Sequence, residues 1–359
     1  VTAIAEAPPP VVADDRRVEA GRILASARAA TARRTRVVSL AVFAVGAFTF
    51  CLSVSIGDYH IPLLDVVKVL VGQGRPDTDF IVRTLRLPRA LTGALVGAAF
   101  GMSGAVFQSL ARNPLASPDM IGITEGASAM AVASIVFWHA STAQTAGYAF
   151  LGALLSAGAI YLLAYRKGVS PYRMVLVGIG IGFALQSVIQ YVLTRAQIYE
   201  AQKAVVWLTG SLNARGWEHV RPVSLAMLVL VPCCLLLGRQ LQALQLGEDT
   251  AVGLGIRSGR IQAGLVLCAV GLCAVATASA GPVNFVAFMA PPISRRLTRS
   301  AGAGLVPAAL VGATLVLLAD IGGRELFGAE LPVGVVTGVI GAPYLLWLLA
   351  RANRVGRGG

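Results

Sequence analysis

Lysine occurs only three times, at Lys68, Lys167 and Lys203, and none of the three follows a glycine. A P-loop needs that Gly-Lys step to cradle phosphates. The chain therefore has no Walker A site of its own. Histidine is equally rare: His60, His139 and His219 are scattered, without zinc-type spacing. Cys51, Cys233, Cys234, Cys268 and Cys273 all lie in apolar runs, where a thiol packs as a small hydrophobe. No nucleophile–base set stands out, which argues against an enzyme. Charge is scarce too, at 13% of 359 residues, about half the share of a soluble domain.

Apolar residues fill the space, at 56% of the chain. Uncharged runs of about 20 residues, long enough to cross a bilayer, recur from end to end. The fold class this implies is all-α: a polytopic membrane protein of about ten helices. They lie near 37–57, 87–110, 118–138, 146–165, 172–194, 219–238, 260–281, 283–297, 303–320 and 332–350. The eighth is short for a full span. Residues 61–71 and 200–212 read as short amphipathic pieces outside.

The net charge of +13 would suit a nucleic-acid binder, but its placement speaks of topology instead. Arg16, Arg17, Arg22, Arg28, Arg33, Arg34 and Arg36 precede the first span, and the other basic residues sit between spans. Ten spans put both termini on one side. With the termini in the cytosol, 20 of the 30 Lys and Arg residues fall inside, as the positive-inside rule requires. Residues 1–35 thus read as a mobile basic cytosolic tail, 36–351 as the transmembrane domain, and 352–359 as a cytosolic C-terminal tail. No nucleic-acid partner is expected; the surrounding medium is membrane lipid.

Four features exceed what a plain bundle needs. Arg86 and Arg89 flank Pro88 at the outer mouth, and Arg324 joins them from another span. Arginines there suit carboxylates of a soluble partner, although snorkelling to anchor the helix ends serves equally well. On the inner side, "LGEDTAVGLGIRS" holds a short helix. Glu248 and Asp249 seat its start, and Gly253 and Gly255 its end. Ala251, Val252 and Leu254 give it a small apolar face, fit either for docking or for an ordinary loop. At "ARNPLASPD", Pro114 and Pro118 stop one helix and start the next, as a gate or as a tight turn. Glu125 lies about 10 Å into its helix, where it faces the protein interior or a wet cavity, or is protonated. It serves either a pathway or a structural hydrogen bond. Gly93, Gly97 and Gly101, Gly178 and Gly182, and Gly334 and Gly338 repeat at four-residue intervals, which favours close helix packing in lipid.

At these residues the sequence resembles a known family. "RLPRALTGALVGAAFGMSGAVFQSLARNPLASPDMIGIT" looks like the hallmark of the FecCD permeases, subunits of ATP-binding-cassette importers for iron–siderophore complexes, haem and vitamin B12. "LGEDTAVGLGI", "GPVNFVAF", "LADIGGR" and "ELPVGVVTGVIGAPYLLWLL" extend the likeness in order. "VLVGIGIG" and "GSLNARGW" are similar to the second permease subunit of ferric-enterobactin importers.

The resemblance implies a type II importer permease fold in the cytoplasmic (inner) membrane. It implies pairing with a second permease chain, as a heterodimer or a homodimer. Two copies of a cytosolic ATPase, which bind the ATP and Mg, and an extracytoplasmic binding protein complete the importer. No cofactor or metal belongs to this chain. Arg86, Arg89 and Arg324 match residues that meet the binding protein. Gly247, Glu248, Asp249, Ala251, Leu254 and Gly255 match the coupling helix that enters the ATPase. Asn113, Pro114, Leu115, Ser117 and Pro118 match the inner gate, and Glu125 is a pathway candidate. The cargo it implies is a ferric siderophore, with haem or vitamin B12 as alternatives and a proton-driven secondary transporter as a further one. One departure stands out: Pro291-Pro292 occupies the place where the family usually has proline-histidine. The basic tail is also longer than usual.

Overall fold

Ten helices occupy the ten apolar runs. The computed structural model describes residues 11–355, apart from 58, 75, 120, 166–170, 246, 254, 256–257, 301 and 327–329. The membrane helices are α1 (Val11–Ser55), α2 (Leu87–Ala111), α3 (Ile123–Trp138), α4 (Thr142–Ala164) and α5 (Pro171–Arg195). They continue with α6 (Trp217–Leu236), α7 (Ser258–Ala280), α8 (Val286–Thr298), α9 (Leu305–Glu325) and α10 (Val333–Val355). Eight are long and apolar enough to cross a membrane; α3 and α8 are shorter. No sheet forms among the described residues.

The bundle is built around α2. Its apolar window is 78% buried, against 17% for α1 and 22% for α5 and α6. A central helix that must admit neighbours on all sides needs a thin surface, and glycine supplies it. A Cβ at Gly97 would collide with the Gly312 carbonyl oxygen, and one at Gly101 with the Ala308 carbonyl oxygen. Both lie on α9, so the small-residue stripe seen in the sequence is the α2–α9 contact. Apolar side chains gain nothing by leaving lipid for each other, so this close backbone approach is what holds the pair. Gly178 on α5 meets the Ile121 carbonyl in the same way, whereas a Cβ at Gly182 would only touch Gly122 and Gly338 faces open space.

The α2 helix does not start where its apolar run starts. Residues Pro76–Phe80 are already α-helical, and Ile81–Arg86 form a π-helical stretch leading straight into α2. Pro88 has no N–H for the Thr84 carbonyl, and its ring crowds that carbonyl. Widening the preceding turn relieves the clash. At the other end of the chain, α1 runs unbroken through the basic stretch: residues from Val11 onward are helical and continuous with the first span.

Two helices stop short. At 13 residues α8 is roughly 20 Å long, and at 16 residues α3 is about 24 Å, less than the roughly 30 Å of a hydrocarbon core. The short α8 agrees with its sequence. The later start of α3 arises because residues 113–119, 121 and 122 are non-helical and helix begins only at Ile123. Gly122 there has φ +83, and its carbonyl accepts a hydrogen bond from Ser156 Oγ at 2.7 Å. Irregular backbone at this depth is tolerated because the protein surrounds it.

Candidate functional site

Three places along the bundle carry polar groups that a bare membrane anchor would not need. The first is centred on Asp320, which is 3% exposed near the end of α9. Arg89 of α2 donates to its Oδ1 from Nη2 (3.0 Å) and Nε (3.2 Å). Arg324 Nη2 lies 3.2 Å from Oδ2 as an ion pair. The same guanidinium donates to the Ile56 and Ser53 carbonyls, each at 3.2 Å, and to Ser53 Oγ at 3.0 Å. Arg86 donates to the Val54 and Ser55 carbonyls at 3.0 and 2.9 Å. Two arginines thus satisfy the carbonyls that the end of α1 leaves without helical partners. Gly57 is needed for this, since a Cβ there would lie 2.8 Å from Arg86 Nη2.

All three arginines border one cavity of about 570 Å³, together with Arg215, Glu218, Glu325 and Glu330. Glu330 stands 3.9 Å from Arg89 and accepts from Asn213 Nδ2 at 3.0 Å. Arg215 donates to the Ser211 carbonyl at 3.1 Å, and burial lowers its guanidinium pKa, opposed by Glu218. Any incoming carboxylate would enter a mixed field in which each arginine already has an acceptor.

The second place lies inside the bundle, where the starts of α3 and α8 approach each other. Thr124, Glu125, Ser128, Gln186, Leu208, Pro282 and Asn284 line a cavity of about 230 Å³. Thr124 Oγ1 donates to Glu125 Oε2 at 3.1 Å. The Asp119 carboxylate, its oxygens shut off from solvent, lies against the Phe285 backbone amide at the start of α8. Helix starts carry partial positive charge, so carboxylates are stabilised beside them. The cavity offers hydroxyls, amides and one carboxyl inside an otherwise apolar bundle, a set suited to an oxygen-rich solute in transit. The reading of the sequence reached Glu125 but not Thr124, Ser128, Gln186 or Asn284. Gln186, which shares its apolar run with only one other amide, Gln190, was the available signal.

The third place is the opposite end of the bundle. Arg112 closes α2 with φ +49. Asn113 Oδ1 then accepts from the Leu115 amide at 2.9 Å, and the Asn113 carbonyl accepts from Ala116 N at 3.1 Å. This turn leaves Asn113 and Pro114 exposed and Leu115 half-buried, with Ser117 and Pro118 buried. The short helix Glu248–Gly253 follows Gly247 at φ +124, with Gly255 at φ +79 beyond it. Ala251 is fully buried, and its amide donates to the Gly247 carbonyl at 3.0 Å. It therefore ties the short helix to the body rather than forming an exposed face. Leu254 lies outside the described residues.

The Pro291-Pro292 departure has its own compensation. Pro292 cannot donate to the Phe288 carbonyl, and Gln108 Nε2 of α2 does so at 3.0 Å. Gln108 Oε1 accepts from Arg295 Nη2 at 2.6 Å. Pro291 likewise frees the Ala287 carbonyl, which packs so close to Gly104 that a Cβ would collide with it.

A model of the FecCD transport family matches residues 45–351. The chain is 40% identical over 291 residues to the ferric enterobactin transport system permease protein FepG of Escherichia coli (strain K12), covering 80% of this chain and 88% of that protein. It is 37% identical over 339 residues to the achromobactin transport system permease protein CbrC of Dickeya dadantii (strain 3937), covering 92% and 95%. Among solved structures, an inward-facing conformation of a metal-chelate type ABC transporter superposes with a TM-score of 0.78 at 26% identity, over 87% of this chain and 98% of that one. A match across most of the transmembrane region, in sequence and in shape, leaves one conclusion: the chain belongs to the FecCD transport family.

Proposed function

We propose that the chain is the permease subunit of an ATP-binding-cassette importer that moves a ferric siderophore across the cytoplasmic membrane by alternating access. The observation that carries this reading is the family match over residues 45–351, joined to relatives named for siderophore transport. In this scheme both termini are cytosolic and a second permease chain completes the pathway. ATP and Mg are held by two separate ATPase subunits, and no cofactor is held here. Arg86, Arg89 and Arg324 form the rim that meets a siderophore-binding protein, whose carboxylates compete with Asp320 and Glu330. The turn at 113–118 is the inner gate, and the segment 247–255 receives motion from the ATPase. The cavity beside Glu125 is a polar step on the way. Its hydroxyls and amides match the oxygen-rich surface of an iron chelate better than the apolar faces of haem.

The test is reconstitution in vesicles with the second permease, the ATPase and the binding protein. Uptake of radioiron as a siderophore complex, dependent on ATP and on all partners, is the expected result. Uptake driven by a proton gradient with the ATPase absent overturns the proposal. Uptake of haem or vitamin B12 in preference to the iron chelates overturns the assignment of cargo.

A further inference from the structure

Below the membrane-spanning part of α1, four arginines from three elements converge on one cavity of about 1220 Å³. Arg28 and Arg36 come from α1, Arg112 from the end of α2 and Arg295 from α8. No aspartate or glutamate among the described residues lines it. Arg112 donates to the Leu244 carbonyl at 2.6 Å and Arg295 to Gln108, so each keeps further N–H groups free. Arg28 and Arg36 make no hydrogen bond or ion pair with any described residue. Like charges gathered without a counter-charge repel one another, and an anion in their midst relieves that repulsion.

The wall of this cavity continues into lipid. Arg28, Ala32, Thr35 and Arg36 lie on one face of α1, at spacings of four, seven and eight residues. From Arg36 the same stripe passes to Leu40 and Phe43, at four and seven residues further on. They are 67% and 59% exposed. Ala47, eleven residues on, is exposed as well. A molecule with an anionic head and an apolar tail fits both parts at once. An acidic protein segment would use the arginines and leave the stripe idle.

We propose that this cavity seats the phosphate headgroup of an anionic membrane phospholipid, with an acyl chain lying along Leu40, Phe43 and Ala47. Guanidinium groups bind phosphate through paired N–H donors, and basic pockets beside transmembrane helices collect such headgroups. The inference takes from the proposed orientation only the leaflet involved, so lipid binding can be measured whether or not transport is observed.

Full-length protein in detergent is titrated with phosphatidylglycerol, with phosphatidylcholine and with inorganic phosphate, and bound species are counted by native mass spectrometry. Phosphatidylglycerol is expected to bind in preference to both others. In R28Q/R36Q its affinity falls roughly 30-fold, while R28K/R36K stays within about threefold of the parent, because charge is kept. Both variants retain the parent melting temperature, since neither side chain has a partner among the described residues. Equal affinity in the parent and R28Q/R36Q overturns the proposal. So does inorganic phosphate binding as tightly as the lipid. Loss of the ATPase subunit from R28Q/R36Q with lipid binding unchanged would assign the cavity to a protein partner instead and overturn it too.

Discussion

Gln108 donates its side-chain amide to the Phe288 carbonyl, which Pro292 leaves without a helical partner. The two residues are 180 positions apart. A proline inside a helix removes a bond and strains the turn, so a donor from a neighbouring helix restores what the sequence gave up. Q108L should lower stability by about 2–3 kcal/mol, since it orphans a buried carbonyl and takes an acceptor from Arg295. P292A returns the backbone N–H. In that background Q108L should be milder by about 1 kcal/mol. Thermal unfolding of the four proteins in detergent measures the cycle; simple additivity would refute the relationship.

Asp320 holds Arg89 and Arg324 together where the start of α2 meets the end of α9. D320N leaves two largely buried guanidiniums facing each other and should cost about 3 kcal/mol. The loss should be visible as a lower melting temperature before any effect on docking is measured. A variant as stable as the parent would show that the pair is held apart by other contacts.

Glycines of one sequence pattern differ in consequence. G97V drives a side chain into the Gly312 carbonyl and should prevent recovery of folded protein. G338A meets open space and should stay within about 0.5 kcal/mol of the parent. Yield after size exclusion separates the two outcomes. Equal tolerance would mean that α2 and α9 do not touch through their backbones.

E125Q keeps the size of the side chain and its contact with Thr124 while removing its charge. If the cavity is a step in transit, uptake should slow roughly tenfold, a barrier change of about 1.4 kcal/mol, with the melting point unchanged. Unchanged uptake together with reduced stability would make the residue structural.

A251P deletes the amide that binds the Gly247 carbonyl and breaks the short helix at its buried point. In the reconstituted importer, ATP hydrolysis should continue while uptake stops. Loss of both would point instead to failed assembly.

Much of this was legible in advance. The ten apolar runs became ten helices, because lipid forces each spanning segment to satisfy its own backbone. The short eighth helix was visible in its length, and the Gly93–Gly101 stripe in its spacing. The apolar run places the start of α3 too early, at residue 118: Gly122 stands just before the helix at φ +83, and the helix runs only from Ile123. The helical course of the basic first half of α1 was hidden for another reason: arginine and alanine suit a helix as well as a solvated tail.

Composition and order alone determined that the chain is a helical membrane protein and where its apolar helices lie. Those are properties of single segments against lipid or water. The partners of charged and polar groups were decided only by the tertiary structure. Arg86 and Arg324 bind carbonyls of α1, Gln108 serves a carbonyl of α8, and Arg28 meets Arg112 and Arg295 across a cavity. Such pairings join residues far apart in sequence. They depend on which helix faces are brought together, and no local pattern encodes that.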